Sequence, residues 1–98
     1  MPKLNFSSRD ATQFGAILRR LRLERGWSIV TAARRSGMNP NYLGSLEKGG
    51  NMPSLDTLLE TADVYGVWAA DIVREVEEAR RAARAQHAAL VTKTTPEG

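Results

Sequence analysis

Glycines cut this chain into blocks. Gly26, Gly37, the pair Gly49-Gly50 and Gly66 fall at short intervals, and the segments between them carry apolar residues three and four apart. That spacing is helical, and a glycine just past the last turn is a common helix stop. No segment alternates polar and apolar residues as a half-buried strand would. The expected fold class is therefore all-α: short helices joined by tight turns, without an internal repeat.

Each block also carries a start signal. The first helix is expected from about Asp10 or Thr12, with Phe14, Ile17, Leu18 and Leu21 on one face and Arg19, Arg20 and Arg22 pointing elsewhere. Ser28 is placed to cap a second helix whose small apolar face is Val30, Ala32 and Ala33. Asn39 caps a third, with Pro40 at the first helical position, where its missing N–H costs nothing, and Leu43 and Leu46 inward. Ser54 caps a fourth, with Asp56 near the positive end of the helix dipole and a stripe of Leu55, Leu58, Leu59, Ala62 and Val64. A fifth, rich in Ala, Glu and Arg, is expected from about Ala69 toward His87 or Leu90. Residues 1–9 read as a flexible arm and residues 92–98 as a disordered tail.

With 98 residues, 42% of them hydrophobic, the chain suits one small domain with a limited core. It has no cysteine, so no disulfide supports that core, and packing or dimerisation must. A single histidine and no cysteine also exclude most metal sites and any Cys–His catalytic pair. No apolar run is long enough to span a membrane, and the first residues lack the apolar centre of a signal peptide, so a cytoplasmic location is expected. The net charge of +3 is unevenly spread: residues 1–50 carry nine Lys/Arg against three acids, residues 51–98 five against eight. A basic half suits a polyanion such as DNA, and is equally a solvated basic surface.

The two short helices on either side of Ser36-Gly37-Met38-Asn39 form a helix-turn-helix, in which the second helix can enter the major groove. From Phe14 to Val67 the chain resembles the phage-repressor and Cro-like (XRE) helix-turn-helix family. The matching pieces run in order: Phe14 to Arg22, Arg25-Gly26-Trp27-Ser28, Ala33, Ser36-Gly37-Met38, Asn41-Tyr42-Leu43, Leu46-Glu47-Lys48-Gly49, Pro53-Ser54-Leu55, Leu58 to Ala62 and Tyr65-Gly66-Val67. The resemblance implies a compact five-helix bundle and a DNA-binding domain over 10–73, beyond which this chain's own fifth helix extends; no cofactor is expected.

The resemblance also assigns roles. Pro40 to Lys48 looks like the recognition helix, with Asn39, Pro40, Asn41, Tyr42, Gly44 and Ser45 at or beside the bases. Asn41 is the best reader, since a carboxamide can pair twice with an adenine edge. Ser28, Ile29, Lys48 and Asn51, with the Gly49-Gly50 backbone, are the expected phosphate contacts. Glu47 is expected to hold the fold by pairing with Arg22, and Arg34 and Arg35 to lie nearest the DNA backbone. Two positions depart from the family pattern. Ile29 stands where many members carry a clamping Gln, and Trp68 stands where a capping residue would open the fifth helix. Trp68 either folds back onto the fourth and fifth helices or lies in an interface.

Beyond residue 73 the fifth helix continues over 74–91 with Ile72, Val76, Ala79, Ala83, Gln86 and Leu90 at spacings of four and three, flanked by Glu75 and Arg80. That is a narrow coiled-coil-like seam, expected with Trp68 to form a homodimer interface; the alternative is a helix that packs on its own domain or projects into solvent. A homodimeric repressor or autoregulator on a two-half-site operator is the leading expectation. An antitoxin or other module that neutralises a co-encoded partner through the C-terminal helix is the second, and Ile29 with Val30 forms a patch that RNA polymerase could touch. No phosphate loop, metal cluster or nucleophile–base pair points to an enzyme.

Overall fold

The computed structural model describes residues 2–94. Five helices follow one another: α1 (Pro2–Glu24), α2 (Ile29–Ser36), α3 (Pro40–Glu47), α4 (Leu55–Tyr65) and α5 (Ala69–Thr94), with no strand among the described residues. The expected caps form. The side chain of Ser28 accepts from the Thr31 N–H, Asn39 from that of Asn41, and Ser54 from that of Thr57. Each satisfies one of the backbone donors that a helix start leaves unpaired.

The core joins all five helices: Phe14, Ile17, Leu18 and Leu21 of α1, Ala32 and Ala33 of α2, Leu43 and Leu46 of α3, Ala62 and Tyr65 of α4, and Ile72 of α5. Burying a side chain such as Leu43 contributes about 1.5–3 kcal/mol. α1 packs on α3 and α5, and α2 packs on α3 and α4. Gly15 lets α1 approach the end of α3. A Cβ there would lie 2.6 Å from the Glu47 carbonyl oxygen and closer still to that of Leu46.

Two expectations change at the ends of the chain. α1 starts at Pro2, so the stretch expected as an arm is helical. Proline is well suited to a first helical position, and no glycine or further proline interrupts residues 3–9. At the other end, α5 is helical through Thr94, and residues 95–98 of the expected tail lie outside the described residues.

The first half of the seam on α5 faces its own domain, while Gln86 and Leu90 are exposed. Ile72 is buried in the core, Val76 packs against it, and Ala79 and Ala83 are half-buried. The charges expected to flank a partner helix are spent within the chain. Glu75 accepts two hydrogen bonds from Arg20 at 3.0 and 2.9 Å, and Arg80 pairs with Asp10, so both bind α5 to α1. A four-and-three repeat is the same signal whether the second helix is another copy or α1, and the longer α1 supplies the partner. Ile72 is thus a core residue and not a dimer contact. Glu77 and Arg81 form the expected i,i+4 pair, at 3.2 Å.

The α4 stripe splits by helical phase. Leu58, Ala62 and Tyr65 turn inward, while Leu55 and Leu59 are 69% and 51% exposed. Val30 is likewise half-exposed.

Candidate nucleic-acid interface

The turn between α2 and α3 is set by Gly37, whose φ of 66° and ψ of 28° are left-handed and disfavoured for other residues. Its N–H bonds back to α2, and the Met38 N–H donates to the Ala33 carbonyl at 2.8 Å, so the chain reverses tightly. Met38 packs on the core, and Asn39 then starts α3 by accepting the Asn41 N–H at 2.7 Å.

α3 is anchored on one side only. Leu43 and Leu46 are fully buried, which leaves Pro40, Asn41, Gly44, Ser45 and Lys48 outward at spacings of one, three and four. They line one open concavity with Arg19 and Arg22 of α1, Ile29 at the start of α2, Glu47 and Gly50. Of the residues expected near the bases, Pro40, Asn41, Gly44 and Ser45 are therefore brought together. The side chain of Asn41 is exposed, and a Cβ on Gly44 would meet nothing within 4 Å.

The other candidates are placed differently. Tyr42 lines a separate depression with Asn39, Asp56 and Glu60, on the side toward α4. The Asn39 side chain is engaged as a cap, as is that of Ser28, which accepts the Thr31 N–H at 3.0 Å. Asn51 donates through Nδ2 to Ser45 Oγ at 2.8 Å, and the Gly50 N–H donates to the Ser45 carbonyl at 2.8 Å. The loop after α3 thus holds Ser45 in place, and the Ser45 hydroxyl keeps its own proton to donate.

The arginines of residues 19–35 divide sharply. Arg22 forms two hydrogen bonds with Glu47, at 2.7 and 3.0 Å, and a third with the Trp27 carbonyl at 3.0 Å. This is the pairing expected from the sequence, and it raises the Arg22 pKa above its ordinary value, mainly through the Glu47 hydrogen bond. The Glu47 side chain is only 6% exposed, so its charge is held away from the concavity's mouth. Arg20 is held by Glu75, and Arg25 by the Leu21 and Tyr65 carbonyls. Arg35 lies over the Trp27 ring, 4.8 Å from its centre, in cation–π contact. Neither Arg34 nor Arg35 lines the concavity; Arg19 does. Its position was legible in principle, because Arg19 and Arg22 lie three apart and so share a helix face.

Trp68 does not fold back onto the domain. It is 79% exposed, beside Leu59 and Ala69 in a shallow depression, while its backbone carbonyl accepts the Asp71 N–H at 3.0 Å.

A helix-turn-helix domain model matches residues 13–76. The chain belongs to the helix-turn-helix family. It is 40% identical over 60 residues to the HTH-type transcriptional regulator DdrOP3 of Deinococcus deserti, a match covering 61% of this chain and 46% of that protein. The chain thus matches less than half the length of DdrOP3. It is 38% identical over 64 residues to the HTH-type transcriptional regulator y4dJ of Sinorhizobium fredii, covering 65% of this chain and 83% of that one. Among solved structures it resembles the clp gene regulator ClgR of Corynebacterium glutamicum, with a TM-score of 0.68 and 28% identity over 90% of this chain and 96% of that one. The helix-turn-helix match takes in α2 to α4 whole and stops within α5, so the last turns of α5 lie beyond it. Among the described residues no helix is long and apolar enough to cross a membrane, and no acidic or histidine cluster could hold a metal.

Proposed function

We propose that this protein is a transcriptional regulator that reads DNA with α3, acting as a homodimeric repressor or autoregulator on an operator of two half-sites. The observation that carries the reading is the outward face of α3, where the exposed amide of Asn41 stands in one concavity with Lys48 and Ser45. Asn41 supplies paired donor and acceptor atoms for a base edge, and Lys48 supplies charge for the phosphates.

One recognition helix of eight residues touches few base pairs, and a two-fold pair doubles them. The exposed surface of Leu55, Leu59 and Trp68 supports self-association, since large apolar side chains grouped on a surface mark an interface. The α5 seam contributes less than its pattern promised, because its first half is covered by α1.

The test is binding to duplexes selected from random DNA. Asn41→Ala should weaken the selected site far more than unrelated DNA, and Lys48→Ala should weaken both alike. Equal losses for Asn41→Ala on the two duplexes would reject Asn41 as the reader.

A further inference from the structure

We infer that Arg19 is a phosphate-binding residue, which extends the DNA interface from α3 onto α1. The inference rests on the DNA-binding reading above.

Gly15, Arg19 and Arg22 are spaced by four and three, so they share one face of α1. The two outer members fix where that face lies. Gly15 abuts the Leu46 and Glu47 carbonyls, and Arg22 is bonded to the Glu47 side chain and to the Trp27 carbonyl just before α2. Arg19 lies between them. Its side chain is exposed and lines the same concavity as Asn41, Ser45 and Lys48.

Arg19 is also uncompensated. Among the described residues it forms no ion pair, whereas Arg20 is paired with Glu75 and Glu24, and Arg22 with Glu47. Glu47 is the one acid among the residues named as lining the concavity, and both of its oxygens are engaged by Arg22. The start of α2 contributes the apolar Ile29 to the rim, so no side-chain cation stands there. A duplex lying against α3 brings phosphates to the rim of the concavity, which Lys48 lines from the end of α3 and Arg19 from α1. A guanidinium suits this place, because its forked donors can hold two phosphate oxygens at once.

The test uses the whole chain, a fixed random-sequence duplex, and the dependence of binding on salt. Each phosphate neutralised adds about −0.9 to the slope of log K against log salt. Arg19→Ala should flatten the slope by about that amount, so that between 50 and 200 mM salt the wild type loses about three- to fourfold more affinity than the variant. Arg20→Ala removes the same charge from the neighbouring position and should leave the slope unchanged. Arg19→Lys should keep the slope with weaker binding. Thermal melting of each variant separates these effects from unfolding. Equal slopes for wild type and Arg19→Ala, or equal flattening by Arg20→Ala, overturn the role of Arg19 while the DNA-binding reading stands. A wild type with no salt-dependent affinity for the duplex overturns both.

Discussion

At the scale of single residues, two glycines have opposite tasks. Gly15 is required by the packing of α1 on α3, because an added methyl would meet backbone carbonyls that cannot rotate away. Gly15→Ala should destabilise the fold by about 1–3 kcal/mol or more, read as a lower urea midpoint. Gly44 has open space around it in the concavity, inside a helix where glycine is unfavourable. Gly44→Ala should therefore stabilise the fold by about 0.5–1 kcal/mol, yet place a methyl where a duplex approaches and weaken DNA binding. Higher melting temperature with weaker binding is the expected pair of results; unchanged affinity would show that the groove does not close on Gly44. The local rules made Gly37, Asn39 and Pro40 readable, since cap and turn chemistry depends on neighbours in the chain. The need for Gly15 depends on α3, thirty residues away in sequence, and had no local signal.

At the scale of elements, α1 and α5 act as a pair. The Arg20–Glu75 hydrogen bonds lower the Glu75 pKa below the ordinary glutamate range. A carboxyl with a lower pKa in the fold than in the unfolded chain stabilises the fold above its unfolded pKa. That contribution fades as pH falls through the lowered value. Both side chains are substantially exposed, at 48% and 40%, so solvent screening limits the effect to below about 1 kcal/mol. Glu75→Gln should lower the urea midpoint slightly at pH 7 and match the wild type near pH 2. A difference that persists undiminished at low pH would assign the effect to packing. The charges on α5 were legible and their partners were not, because Asp10 and Arg20 lie more than fifty residues away from them in sequence.

At the scale of the whole molecule, the chain is longer than a compact domain of its size. Its radius of gyration is 16.2 Å and its longest extent 59 Å, against about 13 Å for a compact domain of 100 residues. The 26-residue α5 accounts for much of that length, at about 1.5 Å per residue. The surface around Trp68 lies at the start of α5, where a two-fold contact could set the spacing of two α3 helices on successive turns of DNA, about 34 Å apart. On the homodimer proposed above, Trp68→Ala should halve the solution molar mass and weaken binding to a two-half-site duplex, while leaving the melt of the single domain nearly unchanged. A wild type that is monomeric, alone and on that duplex, would reject the homodimer.

Helix type, helix order and turn positions were decided by short-range chemistry: caps, glycine stops and apolar spacing act within about one turn. Those same signals marked α2 and α3 as a helix-turn-helix with one face of α3 outward, while the family resemblance implied the Arg22–Glu47 brace. The assignment of exposed faces was decided by packing. A four-and-three repeat marks an apolar helix face without naming its cover, which is why the first half of the α5 seam proved to be covered within its own domain. A charge states its sign without its partner, so only the fold separates Arg19, which lines the concavity on α3, from Arg20 and Arg35, which are held elsewhere. The helix-turn-helix was legible because its signals are local; the breadth of its DNA surface depends on which distant elements come to lie beside it.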